Sequence, residues 1–137
     1  MHANAIFYPA VALALWTALV LLLVPWRRVQ SMRRGEVGLD DFSYGESAAV
    51  PAQVSLPNRN YMNLLEYPVL FYLACVVLHA IGAVDGLAIG LAWGYFGLRV
   101  LHSLVHIGYN DVRHRVTVFA ASNLVVLALL ILVLMRL

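Results

Sequence analysis

Two groups of polar residues sit where an otherwise apolar chain has few of them. Arg59, Asn63 and Glu66 fall at i, i+4 and i+7, and Arg99, His102 and His106 at i, i+3 and i+7, with Tyr95 one turn earlier. In helices each set lines one face. Two facing stripes of this kind make either a buried polar network that fixes helix register or a pocket for an anionic hydrophilic ligand. Arginines outnumber the acid, and guanidinium groups pair well with carboxylates, which is the argument for the pocket. His102 and His106 at i, i+4 share a face that a metal or haem could use, but two histidines fall short of a metal site, so no metal is expected. The single cysteine, Cys75, lies in an apolar run and reads as inert core.

Composition removes other chemistries. All nine basic residues are arginines, so neither a Schiff-base lysine nor a phosphate-loop lysine exists. One cysteine cannot form an internal disulfide or a cysteine zinc site. A net charge of +2 on so apolar a chain argues against nucleic acid. Of the 137 residues, 63% are hydrophobic and 12% charged, about half the charge of an ordinary soluble domain. The class is all-α: an integral membrane bundle of four transmembrane helices in a single domain, residues 1–137.

A helical span needs about 20 apolar residues. The spans are expected at about 6–26, 59–84, 87–109 and 116–135, the first retained because no signal-peptide pattern precedes or follows it. Asn58 is the expected cap of the second helix, and Pro68 should lie inside it, bending it and freeing the Leu64 carbonyl. A polar loop, 27–57, separates the first two spans, with room for a short amphipathic turn. Arg113, His114 and Arg115 are expected in the connection between spans three and four. Arginine counts put both of these connections in the cytoplasm and both termini on the other side. An arginine-only basic set suits a bacterial inner membrane.

A central arginine in a span costs about 2.5–3.5 kcal/mol of insertion free energy, so Arg99 should face protein and seek an acid. Glu66 is the one acid inside any span. At about 1.5 Å per residue, Glu66 lies roughly 10 Å below Arg59 and Arg99 roughly 15 Å below Tyr109, a gap an arginine can close. A Glu66–Arg99 pair, within or between subunits, is therefore expected. Gly86, Gly90 and Gly94, followed by Gly97, read as a helix-packing seam.

The segment from Arg59 through Asn63 and Glu66 to Pro68 resembles the R-x-x-x-N-x-x-E motif of the MAPEG family, the membrane-associated proteins of eicosanoid and glutathione metabolism. Arg99, His102, Gly108 and Arg115 resemble the third-helix pattern of its microsomal prostaglandin E synthase and glutathione transferase branch. The resemblance covers about the whole chain. It implies a homotrimer with sites between neighbouring subunits, open to the cytoplasm. It also implies glutathione as co-substrate and a lipophilic electrophile or hydroperoxide arriving from the bilayer.

On that resemblance Arg115 is the catalytic residue. A guanidinium beside the sulfur favours the thiolate. Arg27, Arg59, Asn63, Glu66, Arg99, His102, His106 and Arg113 form the implied glutathione-binding set, with Arg28 an alternative to Arg27. Four positions depart from the branch: His106 replaces a tyrosine, Met62 an arginine, Val116 a serine and Phe119 a tyrosine. They remove polar contacts and speak against prostaglandin synthesis, while Arg113 and His114 stand beside Arg115. The leading activity is a glutathione-dependent transferase or peroxidase. The alternatives are a non-catalytic trimeric scaffold or accessory subunit, and a binder of lipid or another anionic small molecule.

Overall fold

A computed structural model describes residues 3–137. A short 3-10 turn, Ala3–Ile6, runs directly into α1 (Phe7–Arg33). After a loop come α2 (Ala52–Glu66), α3 (Pro68–Ala80), α4 (Gly86–Ile107) and α5 (Val112–Arg136). Four helical stretches are long and apolar enough to cross a membrane: Ala3–Arg33, Ala52–Ala80, Gly86–Ile107 and Val112–Arg136. The protein is an all-α, multi-pass membrane bundle.

The number of spans matches the hydropathy reading, but their ends move. Helix α1 continues through Arg27, Arg28 and Arg33, so the polar connection is Arg34 to Pro51 rather than 27–57. Once a helix is nucleated, adding a residue costs little, and polar residues extend it beyond the hydrocarbon. The connection contains one 3-10 turn, Leu39–Phe42, the short turn expected there. It folds back on α1: Arg28 pairs with Glu46 at 3.1 Å and lies over the Phe42 ring at 4.7 Å. The fully buried Ser31 donates to Glu36 at 2.6 Å. The Arg34 guanidinium, then the Ser31 hydroxyl, hold the Glu36 carboxyl below its ordinary range.

The second span begins at Ala52, capped by Pro51 rather than Asn58, and carries Pro57 inside its second turn. It ends at Ala80, four residues short of Val84. Pro68 does more than bend it. Tyr67 keeps helical dihedrals, φ −69° and ψ −34°, but the hydrogen-bond ladder breaks there and Pro68 opens a new helix, where its missing N–H is no loss. The third span stops at Ile107, with Gly108 as its cap. The fourth begins at Val112, so Arg113, His114 and Arg115 belong to the first turn of α5 and not to a loop. Asp111 is the cause: its carboxylate accepts from the Arg113 and His114 N–H groups at 2.8 and 3.2 Å.

Helix α4 packs chiefly on α5, and α1 on α2; α1 and α2 both reach α4. The core holds Leu13, Leu64, Phe71, Leu78, Tyr95 and Leu129. The Phe71 and Tyr95 rings lie 4.6 Å apart, joining α3 to α4. Leucines such as Leu15, Leu22 and Leu124 face outward, as lipid contact requires. At the end remote from the arginine-rich loops, Arg136 donates to the Ala83 carbonyl and pairs with Asp85 at 2.5 Å. Asp85 also caps α4 through the Ala88 N–H at 2.9 Å.

The glycine seam turns outward. Gly86, Gly90, Gly94 and Gly97 are exposed, and a Cβ at any of them would meet no atom of the protomer within 4 Å. Within one chain this surface has no packing partner.

Candidate functional site

A cleft of about 420 Å3 opens among α2, α4 and α5 at the arginine-rich end. Helix α2 lines it with Asn58, Arg59, Met62 and Asn63, α4 with His102 and His106, and α5 with Arg115, Val116 and Phe119. Its size suits a small molecule, for which pockets of roughly 300–1,000 Å3 are usual. Five residues singled out from the sequence line this cleft together: Arg59, Asn63, His102, His106 and Arg115.

Local bonds position them. The Asn63 amide donates to the Arg59 carbonyl at 2.9 Å, one turn back along α2. The His102 and His106 rings stand 5.5 Å apart at 73°, and His102 lies 5.5 Å from Phe119. Arg115 donates from Nη1 to Asn110 Oδ1 at 2.8 Å. Asn110 adopts φ 49°, the left-handed region in which asparagine is among the better tolerated residues. Its N–H bonds the Val105 carbonyl at 2.8 Å. Beside it, Tyr109 bonds His114 at 3.0 Å. The His114 N–H, followed by the Arg113 N–H, keeps the Asp111 carboxyl below its ordinary range.

The Glu66–Arg99 pair does not form within the protomer. Arg99, 0% exposed, donates instead from Nη2 to the main-chain carbonyl of Asn63, and its guanidinium lies 5.5 Å from the Phe119 ring centroid. Glu66 is exposed and has no ion-pair partner among the described residues. The sequence places Glu66 on the Asn63 face, but α2 is rolled so that Asn60 and Leu64 point inward and Arg59, Met62 and Glu66 outward.

Arg27, Glu66, Arg99 and Arg113 are not in the cleft lining of one protomer. Arg27 sits over Trp26 at 5.4 Å, and Arg113 is exposed on α5. Sequence reasoning missed Asn110, which holds Arg115, although Asn-Asp between two spans is a turn signal. It also missed Asn60, whose two amide atoms are buried without a partner.

Charge in the cleft is one-sided: Arg59 and Arg115 are cationic and no carboxylate lines it. Such a lining favours an anionic ligand over a cationic one. No group of three or more potential metal ligands occurs among the described residues. Cys75 is fully buried in the apolar core, away from the cleft.

A family model, that of the MAPEG family, matches residues 6–135. The chain belongs to the MAPEG family. The match spans all four membrane helices, so the polar cleft and the bundle that holds it both lie within the family's domain. MAPEG membership supports, in general terms, a membrane-bound transferase or synthase type of function linked to glutathione. No curated protein and no solved structure matches the chain significantly.

Proposed function

We propose that this MAPEG protein is a glutathione-dependent transferase or peroxidase acting on lipophilic electrophiles or hydroperoxides at the cytoplasmic side of a bacterial inner membrane. The observation that carries the reading is the convergence of Arg59, Asn63, His102 and Arg115 on one carboxylate-free cleft. Glutathione has two carboxylates for the guanidinium groups and brings its own thiol, so the protein needs no reactive cysteine. That agrees with the burial of Cys75. Arg115, fixed by Asn110, is the residue assigned to stabilise the thiolate. Lipid-facing helices on either side give an apolar co-substrate a route through the bilayer.

The same reading includes a homotrimer, with both termini on the non-cytoplasmic side. The outward glycine face on α4 supports it, since small residues at this spacing let helix backbones approach closely. Glu66, exposed beside the cleft, is then available to a neighbouring subunit.

Calorimetry of glutathione binding to the detergent-extracted protein tests the reading, with Arg115→Ala and Arg59→Ala as controls. Binding in the wild type that weakens in both variants supports it. No binding at millimolar glutathione removes the enzyme and leaves the fold. A second reading, a lipid or another anionic small molecule in the same cleft, is favoured by the apolar Met62, Val116 and Phe119 beside the two arginines, a wall that suits an anion with an apolar body. A different ligand retained through purification would select it.

A further inference from the structure

Activating a thiol takes two things: stabilising the anion and giving its proton somewhere to go. Arg115 can do the first but not the second, because a guanidinium is always protonated. Arg59 shares that limitation, and the amides of Asn58 and Asn63 do not titrate. The only side chains lining the cleft that carry a nitrogen lone pair able to accept a proton are the imidazoles of His102 and His106. Each ring buries its Nδ1 without a partner, which leaves Nε2 as the nitrogen available to the cleft.

Depth separates the two. His102 lies one turn further into the bundle, against Phe119 and three residues from the buried Arg99. His106 is the second-last residue of α4, and Arg115 the fourth residue of α5, so both stand within about one turn of the connection that joins their helices. The charged groups that act on His106 are Arg115 from α5, Arg59 from α2 and Arg99 on its own helix, and the His102 ring stands 5.5 Å away. On the α1 side, this end of α4 shares an apolar cavity with Trp16, Leu19, Val20 and Leu23. None of these is a carboxylate.

We infer that His106 is the proton acceptor for the bound thiol and returns that proton to the product, which suits the site to electron-poor alkenes conjugated to a carbonyl. The inference rests on the glutathione reading above. In the step, the thiol proton moves to His106 Nε2, and the sulfur electron pair forms a C–S bond at the β-carbon. The alkene π pair shifts to give an enolate, and the enolate takes the proton back from the imidazolium. Thiol and alkene are consumed, one adduct forms, and His106 ends neutral.

The test uses glutathione and 4-phenyl-3-buten-2-one with the detergent-extracted full chain. In the wild type, glutathione binding should release no proton to the buffer, by calorimetry in buffers of different ionisation enthalpy. His106→Gln should lower kcat for addition about 100-fold, within the range for general acid–base catalysis, and by far more than it weakens glutathione binding. The wild-type rate should fall as acid protonates the imidazole, and that limb should vanish in the variant. His106→Ala should regain rate with added imidazole. An unchanged kcat in His106→Gln, or one proton released per glutathione bound by the wild type, overturns the inference and leaves glutathione binding standing. Loss of affinity in both variants without imidazole rescue makes His106 structural and overturns it too. If the wild type binds no glutathione, the functional reading fails first and the inference with it.

Discussion

Arg99 reaches from α4 to the main-chain carbonyl of Asn63 on α2, four residues before the break at Tyr67. One buried guanidinium therefore ties the deep end of the cleft to the wall that carries Arg59 and Asn63. The tie is uneven, because Nε and Nη1 of the same group are buried without partners.

Arg99→Met should consequently stabilise the protein while loosening the cleft. Removing a mid-span arginine relieves about 2.5–3.5 kcal/mol of insertion cost, against about 1.5–3 kcal/mol for a hydrogen bond made by a charged group. The midpoints of the two ranges leave a net gain of about 1 kcal/mol, with extremes of about −0.5 and +2, seen as a higher melting temperature in detergent. Glutathione affinity should drop in the same sample. A lower melting temperature would show that Arg99 has a partner that the protomer does not provide.

Gly108→Ala should lower stability and binding together. A Cβ at Gly108 would stand 2.6 Å from the Leu104 carbonyl oxygen, which is also the acceptor for the Gly108 N–H. That obstacle is backbone, so the end of α4 must shift, at a cost of about 1–3 kcal/mol. His106 and Arg115 lie on either side of this point, so thermal unfolding and glutathione binding should both worsen. Unchanged binding would mean that the connection does not set their spacing.

Gly94→Leu separates folding from assembly. The new side chain meets nothing within the protomer, so helicity by circular dichroism should be retained. If the glycine face is the trimer contact, light scattering in detergent should show the trimer lost. A trimer that persists places the subunit contact on another surface.

Asp85 gives a pH dependence whose sign is fixed. Its hydrogen bond from Arg136, and after that the Ala88 N–H, hold its carboxyl below the ordinary range. A depressed folded-state value stabilises the fold above the unfolded value of about 3.9, and the contribution is lost as pH falls through the folded one. Melting temperature should therefore decline in that acid window. Asp85→Asn should be less stable than wild type at neutral pH and show a shallower decline in acid. Equal acid sensitivity in the two proteins would assign the decline to other carboxylates.

Hydropathy was enough to count the spans, although the second apolar run, 69–84, reaches spanning length only when extended back through the polar stripe from Arg59. It could not place their ends. The arginines of α1 remain helical past the membrane edge, and Asp111 starts α5 before the apolar run begins. The stripe of Arg59, Asn63 and Glu66 was readable from helical spacing, and two of its three members do line the cleft. Spacing fixes which residues share a face but not how the helix is rolled against its neighbours. That roll depends on Asn60 and Leu64 being drawn inward, and it is why Glu66 fails to meet Arg99. Asn110 was hidden for a different reason: its role comes from one backbone dihedral in a four-residue connection, which no periodicity reports.

The interruption at Tyr67 makes the second span a jointed rod. Proline at position 68 has no N–H to donate back to Leu64, so the rung that would stiffen the helix there is missing. Below the joint, α3 is clamped to α5 and to Tyr95 of α4. Above it, α2 carries Arg59 and Asn63 and is linked to α4 by the Arg99 contact. A change of angle at the joint would carry Arg59 and Asn63 together, and α1, which packs on α2, would have to follow. The width of the cleft is thus coupled to the first span, although no α1 residue lines it.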